Sequence, residues 1–314
     1  MSVTAVVLNY DGRALLEAIL PTLAAQTVPD LQVLVVDNGS RDDSLEYLAR
    51  EWPAVQVLAI PDNVGVTAAL NRGIEAASTE FVALLNNDIE LEPSALEAMV
   101  NALRAHPGAG SAAPKMLDHR DRGVLDGAGD MLNWRGGGLR RGHGQRDTGQ
   151  FDRGEEVFGP CGGAAVYRLS ALRDVGPLDE RYFAYYEDLD WAFRAQLAGY
   201  ACRYVPEAVV YHRGSATLGR GWSDFNGYHL WRNAVWLVAK NYPRGALLRH
   251  LPSLLRGQAG NLYVAVREKR FGVWRRAIRD ALRGLPPVLR DRRRVQAGRT
   301  ADLTRLERLA STGR

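Results

Sequence analysis

The sequence lacks several features that mark membrane-spanning and secreted proteins. No apolar run reaches the roughly 18 residues that a transmembrane helix needs, so we expect no membrane span. An apolar strand begins within the first few residues, and we therefore expect no signal peptide. Only Cys161 and Cys202 are present, too few for a disulfide framework. Together these absences predict a cytoplasmic protein.

Several well-known binding motifs are also missing. Neither a G-x-G-x-x-G in the first strand-to-helix loop nor a G-x-x-x-x-G-K-[ST] occurs, which argues against a dinucleotide fingerprint and a Walker phosphate loop. The six histidines form neither H-E-x-x-H nor the Cys/His spacing of zinc sites. There is no recognised nucleic-acid-binding motif. We therefore expect neither zinc nor a nucleic-acid partner.

Apolar strands and amphipathic helices alternate along the first 90 residues. The patterns predict strands at 3–10, 31–36, 55–60 and 81–85, and helices at 13–26, 44–51 and 67–77. This alternation is typical of an α/β protein with a mostly parallel, doubly wound sheet. With 314 residues and 46% hydrophobic content, the chain can form one catalytic domain plus an appendage. We place the boundary between residues 228 and 229.

Polar residues stand where these predicted strands end. They include Asn9, Asp37, Asn63 and the run Asn86-Asn87-Asp88. Ligands of open α/β sheets gather at the carboxyl ends of the strands, and oxygen donors suit Mg²⁺ or Mn²⁺. Asn and Asp also form turns readily. On these residues alone, a metal site and a turn are equally good interpretations of the run at 86–88, and Asp37 could simply cap its turn.

A second concentration of acids opens a predicted helix that continues to Gly199. Glu187, Asp188 and Asp190 stand there among aromatic residues. A carboxylate beside apolar rings is partly desolvated, which raises its proton affinity and suits a general base. Helix capping is the alternative, and Asp190 could pair with Arg194 four residues later.

These motifs, in this order, resemble those of family 2 glycosyltransferases with the GT-A nucleotide-sugar fold. The resemblance extends over roughly residues 3–242 and is greatest to the rhamnosyltransferase-like branch. The family's metal motif is often Asp-x-Asp, whereas Asn86 stands at its first position here, so we expect weak metal binding unless a nucleoside diphosphate is present. The residues that carry the resemblance are Val7-Leu8-Asn9-Tyr10, Val36-Asp37-Asn38-Gly39-Ser40, Asn63-Val64-Gly65, Asn71-Arg72-Gly73, Leu84-Leu85-Asn86-Asn87-Asp88, Gly176-Pro177-Leu178-Asp179-Glu180-Arg181-Tyr182-Phe183, Tyr186-Glu187-Asp188-Leu189-Asp190, His212, Arg232-Asn233 and Lys240-Asn241-Tyr242-Pro243.

The resemblance implies an inverting, metal-dependent transferase that moves a sugar, with rhamnose as a candidate, from a nucleoside-diphosphate sugar to a glycan or lipid-linked glycan. Asp188 would be the general base, with Glu187 and Asp190 on the acceptor side. Asp88 and His212 would hold Mg²⁺ or Mn²⁺, although a lone histidine is more often structural. The donor, a deoxythymidine or uridine diphosphate sugar, would bind across Asn9, Asp37, Asn63, Asn71, Asn86 and Asn87.

Two other functions remain open. A nucleotidyltransferase of related fold is one, although its Gly-rich amino-terminal signature with a lysine is missing here. A noncatalytic module that binds nucleotides or glycans is the other. Residues 118–156, rich in Gly, Arg and Asp, are interpreted as an acceptor loop or an ordinary surface loop.

Charge is distributed unevenly along the chain. Residues 230–314 carry 20 Lys+Arg and 5 Asp+Glu, a net charge of +15, whereas the other 229 residues carry 20 and 31, a net charge of −11. Leucines at 247–255 and aromatic residues at 271–274 are interleaved with these cations. Such amphipathic helices suit an anionic membrane surface, with a solvated basic tail as the alternative. We expect peripheral contact with the inner face of the cell membrane.

Overall fold

A mixed sheet of ten strands forms the centre of the protein, whose computed structural model describes residues 3–214 and 223–311. The strand order is β10-β12-β6-β11-β4-β1-β2-β3, with β5 paired to β12 and β7 paired to β6. The strands of this sheet are β1 (Val3–Asn9), β2 (Leu31–Asn38), β3 (Gln56–Ile60), β4 (Phe81–Asn86), β5 (Ile89–Leu91), β6 (Ala109–Asp118), β7 (Leu125–Gly127), β10 (Glu155–Val157), β11 (Ala164–Arg168) and β12 (Ala201–His212).

Helices cover both faces of the sheet because its central strands are apolar on both sides. Strands β1 to β4 are parallel to one another, as predicted for the amino-terminal half. Apolar residues of α1 (Arg13–Ala24) and α4 (Ala95–Ala105) pack on one face. The other face is covered by α3 (Val66–Ala76), α5 (Leu169–Val175) and α6 (Glu187–Leu197). Helix α2 (Ser44–Glu51) joins β2 to β3.

The second half of the sheet brings distant parts of the chain together. Strand β11 lies antiparallel between β4 and β6, and β12 is parallel to β6. The short strand β5 pairs antiparallel with the end of β12, so that His212 is opposite Ile89. This pairing sets His212 beside the polar run that follows β4.

Residues 118–156, interpreted from the sequence as an acceptor loop or a surface loop, contain short strands separated by turns. Strand β7 pairs with β6 and β10 pairs with β12. Between them, β8 (Asp130–Asn133) and β9 (Gly137–Arg140) form a hairpin. The hairpin is extended by β13 (Ala310–Ser311), which comes from the end of the described chain. The carboxyl-terminal region therefore contributes to this small sheet.

In the described part of the chain, six helices follow the sheet, and the boundary expected between residues 228 and 229 falls inside the first of them. This helix is held against the segment before α6, since Asn233 donates hydrogen bonds to the carbonyl oxygens of Tyr182, Ala184 and Tyr185. Across the two described ranges, no helix combines the length and the apolar character needed to cross a bilayer. The helices are α7 (Asp224–Asn241), α8 (Arg244–Arg249), α9 (Leu251–Arg267), α10 (Phe271–Arg283), α11 (Leu285–Ala297) and α12 (Leu303–Arg308).

A buried charge network joins α7 to α6. Lys240 donates hydrogen bonds of 2.7 Å to Asp179 and 2.8 Å to Asp190, and both Lys240 and Asp190 are almost fully buried. Asp190 also accepts hydrogen bonds from Arg194 and Asn241. Burial by itself raises the pKa of Asp190, but Lys240 and then Arg194 lower it below its usual range. The network is therefore charged at neutral pH.

Replacing Lys240 by Met should destabilise the fold strongly, because Asp190 would remain buried without its ammonium partner. Removing one member of a buried ion pair costs about 3–5 kcal/mol, which urea unfolding at neutral pH will measure. The lowered pKa of Asp190 stabilises the wild type above about pH 4, and this contribution is lost as the pH falls further. The variant should lose less stability on acidification. The control is Arg283→Met, because the Arg283 side chain is 72% exposed. An equal loss of unfolding free energy in both variants would contradict the prediction.

Candidate active site

A cleft of about 1130 Å³ lies at the carboxyl ends of the parallel strands. One wall comes from the loops after β1 to β4 and includes Asn38, Asn63 and the residues Asn86 to Asp88. The other wall comes from β7 to β9, the segment before β11 and the start of α6. Of the residues expected from sequence to form a site, Asn63, Asn86, Asn87, Asp88, Glu187, Asp188 and His212 all line this cleft.

Asn9 and Asp37 lie behind the first wall and do not line the cleft. The amide of Asn9 donates to Asp37, at 2.9 Å, and accepts from Asn87, at 2.8 Å. Asp37 also accepts hydrogen bonds from the N–H and the hydroxyl of Ser40, which is the geometry of a turn cap. The buried chain of hydrogen bonds fixes the orientation of Asn87. Asn38, which sequence reasoning did not select, faces the cleft instead.

Asn63 and Asn71 occupy different environments. The side-chain oxygen of Asn63 accepts hydrogen bonds from Asn38 and from the N–H of Gly65 at the edge of the cleft. Gly65 has a φ of +90°, and a Cβ there would meet the ring of Phe183, so the turn requires glycine. Asn71 is buried away from the cleft and exchanges two hydrogen bonds with the backbone of Leu178. Its amide is therefore used to hold two segments of the protein together.

Asp88 and His212 face each other across the pairing of β5 with β12. The Nε2 atom of His212 lies 3.5 Å from Asp88, and its Nδ1 atom lies 2.8 Å from a carboxylate oxygen of Asp126. Burial lowers the pKa of His212, but the hydrogen bonds to Asp126 and Asp88 outweigh it and raise that pKa to about 9. Arg140 also donates to Asp126, at 2.8 Å. Asp126 therefore orients the histidine.

The chemistry of Asp88 fits a divalent cation. Its Oδ1 atom is buried and has no hydrogen-bond partner among the described residues, which leaves a carboxylate oxygen free for a ligand. Within residues 3–214 and 223–311, no group of three or more His, Cys, Asp or Glu side chains is arranged to hold a metal. Mg²⁺ commonly binds through one or two carboxylates and completes its shell with water and phosphate oxygens. Asp88 fits such a site.

The start of α6 brings Glu187 and Asp188 to the opposite wall. Asp188 accepts hydrogen bonds from the N–H of Gly162, at 2.8 Å, and from that of Leu189, at 2.7 Å. A Cβ at position 162 would lie 2.8 Å from Asp188, so glycine is required for this contact. Tyr186, just before the helix, has a φ of +69°, an uncommon conformation for a residue other than glycine. Such local strain is often found at functional sites.

Asp130 completes a group of three carboxyls with Glu187 and Asp188. Burial, and then the charge of Asp188, raise the pKa of both Asp130 and Glu187 to about 8. Burial also raises the pKa of Asp188, while hydrogen bonds from Leu189 and Gly162 oppose part of the rise. Because Asp188 is the one that accepts two N–H groups, it is best placed to hold the negative charge when its neighbours are protonated.

Asp190, expected on the acceptor side, lies outside the cleft. Its carboxylate belongs to the buried network with Lys240. It also pairs with Arg194 at 2.9 Å, the ion pair that the spacing of four residues in the sequence suggested. The structural role of Asp190 follows from its position one turn further into α6, on the side that faces α7.

Sequence reasoning missed Asp126, Asp130 and Arg140. All three belong to the stretch that was interpreted as a loop, and they line the cleft only because β7, β8 and β9 are ordered. A signal was present in Asp126-Gly127-Ala128-Gly129-Asp130, where two acids are separated by three small residues. Small residues let a backbone approach its neighbours closely, and here they allow both carboxylates to reach the same cavity.

Comparisons with known proteins identify the family to which this chain is similar. The sequence profile of the family described as "Glycosyl transferase family 2" matches residues 4–176. An N-acetylglucosaminyl-diphospho-decaprenol L-rhamnosyltransferase of Mycobacterium tuberculosis (strain ATCC 25618 / H37Rv) is 28% identical over 301 residues, covering 89% of this chain and 88% of that protein.

Two solved structures share the fold. One is the fragment 1–349 of S. aureus TarS in complex with UDP-GlcNAc, with a TM-score of 0.63 and 16% identity, covering 94% of this chain and 88% of that one. The other is a mannosyltransferase from Pyrobaculum calidifontis in complex with GDP-Man and Mn²⁺, with a TM-score of 0.56 and 18% identity, covering 94% and 85%. At such low identity the likeness shows a common fold.

The orientation of His212 by Asp126 can be tested by NMR titration in the presence of EDTA. We expect His212 to titrate near pH 9 in the wild type and at a distinctly lower pH in Asp126→Asn. A raised histidine pKa stabilises the fold below about pH 6.5, and this contribution is lost as the pH rises toward 9. Asp126→Asn should therefore cost more stability near pH 6 than above pH 9. Asp121→Asn, which removes a partner of Arg146, is the control, and an unchanged His212 titration in Asp126→Asn would contradict the assignment.

Proposed function

The chain belongs to glycosyl transferase family 2 and is a glycosyltransferase, and on this basis we propose that it is an inverting, metal-dependent enzyme. It transfers a sugar from a nucleoside-diphosphate sugar to a hydroxyl of a glycan or lipid-linked glycan. The observation that carries this proposal is that one cleft contains both Asp88 and Asp188. One carboxylate oxygen of Asp88 has no hydrogen-bond partner among the described residues, and Asp188 is held by two N–H groups.

The donor side of the cleft is the wall formed by the strand ends. Asn38, Asn63, Asn86 and Asn87 supply amide groups there, and these can bind the ribose, base and phosphates of a nucleotide. Asn9 and Asp37 act from behind by orienting Asn87. The two solved structures bind UDP-GlcNAc and GDP-Man, which supports a nucleotide-sugar donor. We propose a uridine or deoxythymidine diphosphate.

A divalent cation, Mg²⁺ or Mn²⁺, would neutralise the charge that develops on the departing diphosphate. Asp88 would hold it, assisted by His212 once that histidine is deprotonated and by the amides at 86 and 87. The described part of the cleft is rich in carboxylates, with Arg140 as its only arginine or lysine. An anionic diphosphate therefore needs added positive charge beside Asp88. The Mn²⁺ in the mannosyltransferase structure supports this assignment.

Asp188 would act as the general base on the acceptor. It removes the proton from the attacking hydroxyl, whose oxygen bonds to the anomeric carbon while the bond from that carbon to the diphosphate breaks. Attack opposite the leaving group inverts the anomeric configuration. Glu187 and Asp130 carry the unpartnered acceptors Oε2 and Oδ1 in the same cleft, among the described residues. These oxygens can accept hydrogen bonds from the acceptor's other hydroxyls.

The relative from M. tuberculosis supports rhamnose as the sugar and a lipid-linked glycan as the acceptor. A lipid-linked acceptor places the enzyme at a membrane, and the basic region 229–314 supports attachment to the inner, anionic surface. Release of free nucleoside diphosphate distinguishes the proposed transferase from a nucleotidyltransferase, which releases pyrophosphate. A binding module would release neither.

The metal assignment predicts that Asp88→Ala abolishes turnover, whereas Asn87→Ala, which removes an amide without charge, reduces it less. His212→Ala should raise the concentration of Mn²⁺ required. Binding of Mn²⁺ in the presence of UDP, followed by electron paramagnetic resonance, should weaken in Asp88→Ala. Near-normal activity of this variant, or a wild type that is unaffected by EDTA, would refute the assignment.

The base assignment predicts that Asp188→Asn binds the donor nucleotide with near wild-type affinity but turns over about 10²- to 10⁴-fold more slowly. Glu187→Gln is the matched control and should cost less. Because burial raises the pKa of Asp188, the wild-type rate should increase with pH through a value above the usual 3.9 or so of aspartate. Calorimetry with UDP measures the donor affinity, and an assay of nucleotide release measures the turnover rate. A loss of donor affinity in Asp188→Asn would move this residue to the donor site.

A further inference from the structure

Helix α9 presents an apolar face to solvent. Its inner side packs on the protein through Leu254 and Ala265, which are buried. On the outer side, Leu255 is 62% exposed, Val266 is 59% exposed and Leu262 is 36% exposed. Positions 251, 255, 262 and 266 fall on one stripe of an α-helix, because they recur at the helical period. The exposed stripe is therefore continuous over the length of α9.

This face lacks the charges that an exposed helix normally carries. No Asp or Glu occurs from residue 251 to 267, and Arg256 and Arg267 are the only charged residues in the helix. Further exposed apolar side chains stand near both ends of α9, at Leu248, which is 77% exposed, and at Phe271, which is 49% exposed. Contiguous apolar patches of this kind mark sites of contact with a protein or a membrane.

We propose that this face of α9 inserts into the interface of an anionic membrane. The apolar stripe supplies the surface that enters the lipid boundary, and the flanking arginines face the headgroups. The surrounding region, residues 230–314, carries a net charge of +15. A second copy of the chain would bring two such basic surfaces together, and their repulsion opposes a dimer through this face. An anionic bilayer complements both the charge and the apolar stripe.

The contacts of α9 with the β8–β9 hairpin connect the proposed membrane-binding face to one wall of the cleft. Trp134 and Gly136, in the turn of the β8–β9 hairpin, pack against His250 and Leu254, and the rings of Trp134 and His250 are stacked with centroids 4.0 Å apart. From this turn, β9 extends over roughly 13 Å to Arg140 in the cleft. Insertion of α9 therefore holds the wall that carries Arg140 close to the lipid surface. That this wall receives a lipid-linked acceptor rests on the proposed function, whereas insertion itself does not.

Insertion can be tested with an environment-sensitive label on the full chain. The native cysteines are both buried, so a cysteine introduced by Leu262→Cys can be labelled selectively with the fluorophore NBD. Leu45→Cys is the matched control, because Leu45 lies on the exposed side of α2 and is 38% exposed. We expect NBD at 262 to brighten and shift to the blue with vesicles of phosphatidylcholine and phosphatidylglycerol, and to change little with phosphatidylcholine alone. NBD at 45 should not respond.

A second set of variants measures how much the face contributes to binding. The double variant Leu255→Asp/Leu262→Asp should bind anionic vesicles at least about tenfold more weakly than wild type in a sedimentation assay, and Leu45→Asp should bind normally. Vesicle binding with no response at 262, or binding unchanged in the double variant, would overturn the proposal. So would a lipid-free dimer, detected by light scattering, that the double variant dissociates.

The same variants report separately on the proposed function. The double variant should retain wild-type turnover of a water-soluble acceptor analogue, because neither Leu255 nor Leu262 lines the cleft. Absence of turnover in the wild type, with vesicle binding and the response at 262 intact, would refute glycosyl transfer and still support insertion.

Discussion

The buried contacts of Lys240 are the interaction on which the rest of the structure depends. Lys240 belongs to α7, and its ammonium group contacts both Asp190 of α6 and Asp179, which lies in the segment before α6. Leaving a buried charge without a partner costs several kcal/mol of stability. The ion pairs of Lys240 therefore hold α6 and α7 in one relative position. The first turn of α6 carries Glu187 and Asp188. The network therefore positions the wall of the cleft that carries Glu187 and Asp188, although none of its members lines that cleft.

The two walls of the cleft differ in their chemistry. The wall from the strand ends is dominated by amides, and Asn87 is fixed there by a buried chain of neutral hydrogen bonds. The opposite wall concentrates carboxyls whose proton affinity is raised by burial and by one another. The first arrangement suits recognition of a nucleotide, and the second suits proton transfer from a hydroxyl. Asp88 lies where the two walls meet, beside a histidine that Asp126 orients.

The carboxyl-terminal helices combine two roles. Helix α7 contributes to the core, and α12 leads into β13, which extends the β8–β9 hairpin. Helix α9 packs on the same hairpin and leaves its apolar face exposed. The basic helical region expected from the sequence is present, and its helices pack against the sheet domain and the β8–β9 hairpin.

The sequence by itself determined the alternating strands and helices, the polar residues at the strand ends and the basic character of the last 85 residues. These features depend on local periodicity and composition, which a sequence displays directly. Only the tertiary structure decided that Asn9 and Asp37 bond to each other behind the cleft while Asn38 faces it, and that Asp190 joins Lys240. It also brought Asp126 and Asp130 to His212 and Asp188. These relations depend on pairings between residues distant in the chain, such as β5 with β12, and local patterns carry no information about which distant strands will pair.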